Sequence, residues 1–354
     1  MITPSIVLDC GSYTTKIGVS GNTAPSVIYP SNFPGCNSFV SESFINDYTE
    51  FERYFESILL DNLQISPSDW PLVFAVPCGA GRRYRENLAE IFFENFNSPG
   101  VFFEESGVLA MHATAGVSCS NIESAFNSTA CILEIGHSFT TLSAVVEGYL
   151  VESEKFPIAG KDITDMYVDA VSRREGFQTA ITEQERKIRK IATKAKEEFG
   201  FVAEDVLAVH TEFSRNFARH KKSIHGLEFG IERFLASEIL FDGKLNSKKF
   251  PGLPDVIEEL VMSRVPVDYR KKLIGNFVLC GGSSLLSGIE KRLKKELPKN
   301  LSAEFFPWGD SGLQGHAVWT GGSVVAESPG FEERVIWKTR WEEEGSRIFS
   351  INEY

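Results

Sequence analysis

Long apolar runs are missing from this 354-residue chain. None approaches the roughly 18–20 residues a membrane-spanning helix needs, so no membrane span is expected. The opening MITPSIVLDCG has no basic segment ahead of an apolar one, and no secretory signal is read there. Cysteine is sparse and scattered. Cys10, Cys36, Cys78, Cys119, Cys131 and Cys280 form no Cys-x-x-Cys pair. That speaks against a zinc site and a disulfide framework, and for reduced, mostly buried thiols in a cytosolic or nuclear setting. Positive charge is in the minority, with 36 Lys and Arg against 48 Asp and Glu and a net charge of −12. Nucleic acid is gripped by clustered cations, so it is not an expected partner. Low-complexity sequence and an obvious flexible linker are absent as well.

What is present suits two domains of ordinary size. Apolar strands such as PLVFAVP (71–77), VFFEE (101–105) and FVLCGG (277–282) alternate with helical patterns at 46–66, 82–96, 107–116, 160–175 and 183–199. The regular alternation calls for an α/β architecture with largely buried sheets. The helix SSLLSGIEKRLKKEL, the strand AEFF and a Gly-rich GGS at 321–323 are expected toward the end.

One outline is written twice. LDCGSYTTK at 8–16 and LEIGHSFTT at 133–141 both read apolar strand, carboxylate, one residue, glycine, then a small segment leading into threonine. A glycine turn can aim backbone N–H groups at an anion, and a serine adds a donor. Two such turns facing each other would hold a polyphosphate from both sides, and a carboxylate ahead of each could orient waters around a divalent cation. In the first turn Gly11, Ser12 and Tyr13 are the phosphate-facing candidates, with Lys16 as charge partner and Asp9 on the metal side through water. A lone Asp-x-Gly-Ser also fits a tight β-turn with no ligand. The second turn is poorer, with Glu134 as its carboxylate, Gly136 as its glycine, and His137 and Ser138 where a more flexible, anionic turn would serve better. LCGGSSLLSG at 279–288 and AGKD at 159–162 add strand–glycine–helix junctions whose amides suit a nucleotide.

These residues resemble the actin family. The likeness runs in order through IVLDCGSYTTKIGVSG, APSVIYPS, NFNSP, AGKDITD, VPVDYRKKL, LCGGSSLLSGI, WTGGSVVA and KTRWEEEGSRI. It implies an actin-like fold: two α/β lobes of four subdomains, with duplicated ribonuclease-H-like sheets around a nucleotide cleft. The small lobe would comprise 1–123 and 317–354, and the large lobe 124–316, divided into 124–158 with 248–316 and 159–247. ATP or ADP with Mg2+ is the implied cofactor. Lys196 and Glu197 in TKAKEEFGF would contact the purine side, and Gly160, Gly282 and Leu285 would line base and sugar. Without the likeness, Lys196–Glu197 reads as a solvated helix face.

The departures point to lost catalysis. Ser106 stands where the family has a glutamine that positions the attacking water, and Thr141 where it has a histidine. Gly315 replaces a lysine near the base. Hydrolysis needs an oriented water and a placed metal, so very slow or absent turnover is expected. His137 reads as a polar surface residue rather than a substitute base. Only 31–44 remain where the family carries a subdomain whose long loop docks into the next filament subunit at the pointed end, while VPVDYRKKL and Trp337 retain the opposite face. The combination resembles the pointed-end actin-related subunits of dynactin. It implies a non-polymerising, cytoplasmic, cytoskeletal subunit that partners actin-like filament subunits within a multiprotein complex. A nuclear chromatin-remodeller subunit and an ATP-hydrolysing filament former are the competing expectations. The basic clusters 186–196 and 219–222 read as solvated faces, and the aromatic run 39–55 as a partner surface or a small local core.

Overall fold

The computed structural model describes residues 4–31, 39–41, 44–118, 127–175, 183–245, 248 and 250–350. Most of the expected 31–44 remnant, with Cys36 and Cys119, therefore lies outside the described residues.

In chain order, β1 (Ile6–Cys10), β2 (Thr14–Val19) and β3 (Val27–Pro30) form an antiparallel meander. A short hairpin of β4 (Val40–Ser41) and β5 (Phe44–Ile45) stands apart from it. β6 (Leu72–Val76) then joins β1 in parallel, and β7 (Gly100–Glu105) joins β6. The pattern starts again with β8 (Ala130–Ile135), β9 (Thr140–Val146) and β10 (Tyr149–Phe156), a second antiparallel meander. β11 (Lys222–Ile224) pairs with β12 (Leu227–Phe229) outside both sheets, β13 (Phe277–Cys280) adds in parallel to β8, and β14 (Ile336–Trp337) closes antiparallel on β7. The two sheets run β14-β7-β6-β1-β2-β3 and β10-β9-β8-β13. Each is a meander extended by parallel strands from the free edge of its first strand. The expected strand AEFF is reduced to a single bridge, Phe305 beside Phe277, at the position where the second sheet would continue.

Side-chain alternation along each first strand divides it between two cores. Ile6 and Leu8 face an outer core with Phe51, Phe55, Phe74 and Phe92. Cys131, Leu133 and Ile135 face another, built with Ile163, Val168, Leu253 and Leu293. The opposite faces, Val7 and Val73 on one sheet and Ala130, Ile132 and Val278 on the other, share a third core with Leu109, Met111, Val318 and Trp319. Those last four residues lie on helices Ser106–Ser118 and Ala317–Ala326, which are wedged between the sheets.

The helix pair accounts for the Gly-rich run at 321–323, which lies inside helix Ala317–Ala326. A Cβ on Gly321 would lie 1.6 Å from the Leu109 carbonyl oxygen, and one on Gly322 2.6 Å from Val7 Cγ1. Glycine is ordinarily a poor helix former. Here backbone lies on backbone and no side chain fits. Trp319, fully buried, donates its indole N–H to the Val7 carbonyl at 3.0 Å and so ties helix to strand.

One other expectation changes and one is narrowed. The sequence SSLLSGIEKRLKKEL is not one helix: a 3-10 turn, Gly282–Leu285, precedes Gly288 at φ +88°, and the α-helix is Ile289–Glu296. A Cβ at Gly288 would lie 2.2 Å from the Val202 carbonyl oxygen, so close approach and positive φ both demand glycine there. The aromatic run, as far as it is described, forms a local core. Phe39, Phe51 and Phe55 are buried, and the Phe39 and Tyr54 rings lie 4.6 Å apart. Asp47 caps the helix Tyr48–Ser57 by accepting from the Glu50 N–H at 3.0 Å. No helix among the described residues is long and apolar enough to cross a membrane.

Gly321→Ala is expected to destabilise the fold by about 3 kcal/mol or more, because the clash is with backbone that cannot change rotamer. Urea denaturation of the variant beside the wild-type chain measures it, and an unchanged midpoint would contradict the packing described.

Candidate functional site

The two glycine turns are built alike. The Gly11 N–H donates to the Thr14 carbonyl at 3.2 Å, and the Gly136 N–H to the Phe139 carbonyl at 3.0 Å. Asp9 pairs with Lys16 across the first hairpin as Glu134 does with Thr141 across the second. The threonine common to both motifs is buried in each case. The Thr15 hydroxyl meets Ser31 Oγ at 3.0 Å, and the Thr140 hydroxyl donates to the Ile158 carbonyl at 2.6 Å.

The turns face each other across a cleft with a free volume of about 200 Å³. Asp9, Gly11, Ser12, Tyr13, Lys16, Glu134, Gly136, Lys196, Glu197 and Gly282 all line it. Gly160 and Leu285 do not. Gly160 packs behind the wall, where a Cβ would fall 2.1 Å from Ser283 Oγ, and Leu285 is exposed against Gly315, which does line the cleft. The cleft also contains residues that sequence reading passes over: Lys155, Phe139 and Ser283. Lys155 lies on β10, whose alternation gives no hint of a cleft. Ser283 Oγ donates to the Gly136 carbonyl at 2.9 Å and fastens the second turn to the Gly282 junction.

Charges at the cleft floor are largely satisfied within the protein. Lys16 Nζ donates to Asp9 Oδ2 at 2.6 Å. Burial disfavours the Lys16 cation, but the Asp9 charge and hydrogen bond outweigh it and hold the amine above its ordinary value. Burial pushes the Glu134 carboxyl up to about 6, and the Asp9 charge adds to this, while Ser106 and Lys16 pull it down. Ser106 Oγ donates to Glu134 Oε2 at 3.0 Å. Lys196, also buried, donates to the Gly160 carbonyl at 2.9 Å, and burial lowers its pKa. The thiols of Cys10 and Cys280 are raised well above their ordinary value by burial, which makes them inert.

His137 is not the polar surface residue expected from sequence. It is half-buried, and its ring stacks on Tyr13 from the opposite turn, with centroids 4.7 Å apart and planes at 23°. Burial, then the charges of Lys196 and Lys161, lower its pKa to about 4, so the imidazole is neutral at pH 7. Within the basic cluster 186–196, Lys187, Arg189 and Lys194 form the solvated, paired face expected: Arg189 bonds Asp165, Lys187 lies 3.5 Å from Glu183 and Lys194 3.7 Å from Glu198, whereas Lys196 at its end is buried in the cleft wall and not on a solvated face.

Lys196 and the Gly282 junction line the cleft where a nucleotide's sugar and inner phosphates would lie, whereas the Gly11 and Gly136 N–H groups are spent within their own turns. Among the described residues no group of three or more His, Cys, Asp and Glu gathers to hold a metal. Asp9, which lines the cleft and is bonded to Lys16, is the carboxylate that would meet a phosphate-bound cation through water. When bound, nucleotide and cation would supply an electrostatic bridge between the two turns.

Duplicated meander sheets on a shared helix pair, with a cleft between matched glycine turns, define an actin-like two-lobed fold. The actin family matches residues 35–352, and the chain belongs to that family. Its members generally bind ATP or ADP with Mg2+. Its relatives include Actin-related protein 3 of Dictyostelium discoideum, 26% identical over 414 positions that cover 99% of this chain and 97% of that protein. Actin-related protein 3 of Schizosaccharomyces pombe is 28% identical over 421 positions, covering 97% and 96%. Both alignments are longer than this 354-residue chain, so the relatives carry segments that it lacks.

Glu134 makes a test of the cleft electrostatics. A carboxyl whose pKa is raised on folding binds its proton more tightly in the folded state. Stability then falls as pH rises from about 4.5 through about 6. Glu134→Gln removes that penalty and is expected to stabilise the fold at pH 7.5 by on the order of 2 kcal/mol, with no gain at pH 4. Denaturant titrations at the two pH values check it.

Proposed function

We propose that this chain is a non-polymerising, weakly hydrolysing or inactive actin-related subunit that caps the pointed end of a short actin-like filament, as the pointed-end subunits of dynactin do. It would hold ATP or ADP through the two glycine turns, reside in the cytoplasmic cytoskeleton and work inside a multiprotein complex. The observation that carries the reading is the shortness of the chain between β3, which ends at Pro30, and the helix that starts at Tyr48. The described strands in that interval are two residues long. The family's filament formers use a full subdomain there, with a long loop, to receive the next subunit. The opposite face keeps its apolar and basic features: Val267 is 71% exposed at the head of a helix that continues through Lys271 and Lys272.

The catalytic side supports the same reading. Ser106 has its hydroxyl committed to Glu134, and Thr141 sits opposite Glu134 in the strand register. Neither offers the water-orienting group that phosphoryl transfer to water requires.

Two outcomes test this. Added to actin-like filament seeds blocked at their barbed ends, the purified chain is expected to stop elongation at the pointed end at substoichiometric ratio to subunits, and to form no filaments alone by electron microscopy. Its phosphate release is expected to be slower than that of a polymerising actin by roughly tenfold or more. Homopolymers, or undiminished elongation, would overturn the cap.

A further inference from the structure

The hairpin of β4 and β5 is short, yet it touches both lobes. On one side it runs directly into the capped helix Tyr48–Ser57. Phe44 packs on the outer core of the first lobe and meets the Tyr84 ring edge-on at 5.5 Å, and the Ile45 N–H donates to the Tyr84 hydroxyl at 3.4 Å. On the other side Lys155, on β10 of the second sheet, places Nζ 4.1 Å from the Phe44 ring centroid and 4.0 Å from that of Phe139 in the second glycine turn. The ammonium is held between one ring from each lobe.

Two further contacts run the same way. Ser153 lies two residues before Lys155, on the same face of β10. Its Oγ donates at 3.1 Å to the sulfur of Cys78, which follows β6 of the first sheet. Tyr13 stacks on His137 at 4.7 Å. Tyr13, Cys78, His137, Phe139 and Lys155 all line the one cleft, so the three bridges cross it.

We propose that β4–β5 is a strap: Phe44, seated on Lys155, fastens the two lobes closed, and closure needs no bound nucleotide to hold it. Every atom of the three bridges belongs to the protein. Opening would part Phe44 from Lys155, Cys78 from Ser153 and Tyr13 from His137, while Phe139 would stay with Lys155 in its own lobe. A cation over a ring, or a stacked ring pair, shifts an equilibrium by roughly two- to tenfold, and contacts that form together multiply. A subunit closed in this way keeps one shape through any change of nucleotide, and it does so whether or not the chain caps a filament.

Two measurements on the full chain, stripped of nucleotide, test the strap. Ser153→Cys sets a second thiol against native Cys78, and a sulfur–sulfur bond of about 2 Å can form there only while the lobes are closed. Diamide is expected to link positions 78 and 153 at a rate within about twofold of that with Mg-ATP added, because an equilibrium already on the closed side leaves a ligand little to shift. In chains that keep Ser153, alkylation of the buried Cys78 thiol reports the open fraction. Phe44→Leu and Lys155→Met, each first checked for a cooperative thermal transition, should speed it by roughly threefold or more, whereas Lys155→Arg keeps the cation and should not. Labelling of Cys131, buried in the second lobe, should stay level, which a general loosening of the fold would not allow. Peptide mass mapping reads each site separately, and Lys155→Met carries the test alone if Phe44→Leu does not fold. Linkage that requires Mg-ATP, or no linkage in either state, would overturn the strap. So would Cys78 labelling that ignores both substitutions or that rises only together with Cys131.

Discussion

Backbone contact between two helices sets the geometry on which everything else rests. Where Gly321 meets the Leu109 carbonyl, no side chain separates helix Ser106–Ser118 from helix Ala317–Ala326. The pair lies between the sheets, so its thickness fixes how far apart β1 and β8 stand. That distance decides how the turns following those strands face one another. A core filled by long side chains could yield by rotamer changes; backbone on backbone has no such slack. The Trp319 indole bonded to the Val7 carbonyl fastens this spacer to the strand that leads into the first turn.

With the spacing set, the chemistry of the cleft follows from what each turn presents. The first keeps the Asp9–Lys16 pair and a glycine whose Cβ would collide with the chain. The second keeps the glycine and the threonine anchor but presents Glu134, held by Ser106, and a histidine that meets a tyrosine coming the other way. The two turns keep the same backbone hydrogen bond, from the glycine N–H to a carbonyl three residues on, while their side chains differ and contact each other.

Much of this was legible in the sequence because it is local. The doubled motif names both turns, the alternation of strands and helices names the fold class, and ten of the twelve residues singled out for nucleotide contact do converge on one cleft. What could not be read depends on pairings distant in sequence. Nothing in GSYTT announces that the Tyr13 ring will meet His137, and nothing in EKF that Lys155 will sit between two phenylalanines. Glycines at 321 and 322 are poor helix formers by propensity, yet the close approach of another helix makes them the residues that permit a helix there. Leu285 and Gly160 miss the cleft through neighbours distant in sequence: Leu285 lies exposed against Gly315, and Ser283 occupies the space in front of Gly160.

The placement of Lys155 has a consequence for how the molecule responds to ionic strength. Exposed ion pairs such as those along helix Glu183–Phe199 weaken as salt shortens the Debye length. An ammonium held at contact distance against two aromatic faces draws its attraction from the ring quadrupoles and is much less screened. Strong brine would therefore loosen charge-steered neighbours from the surface well before it relaxed the grip of one lobe on the other.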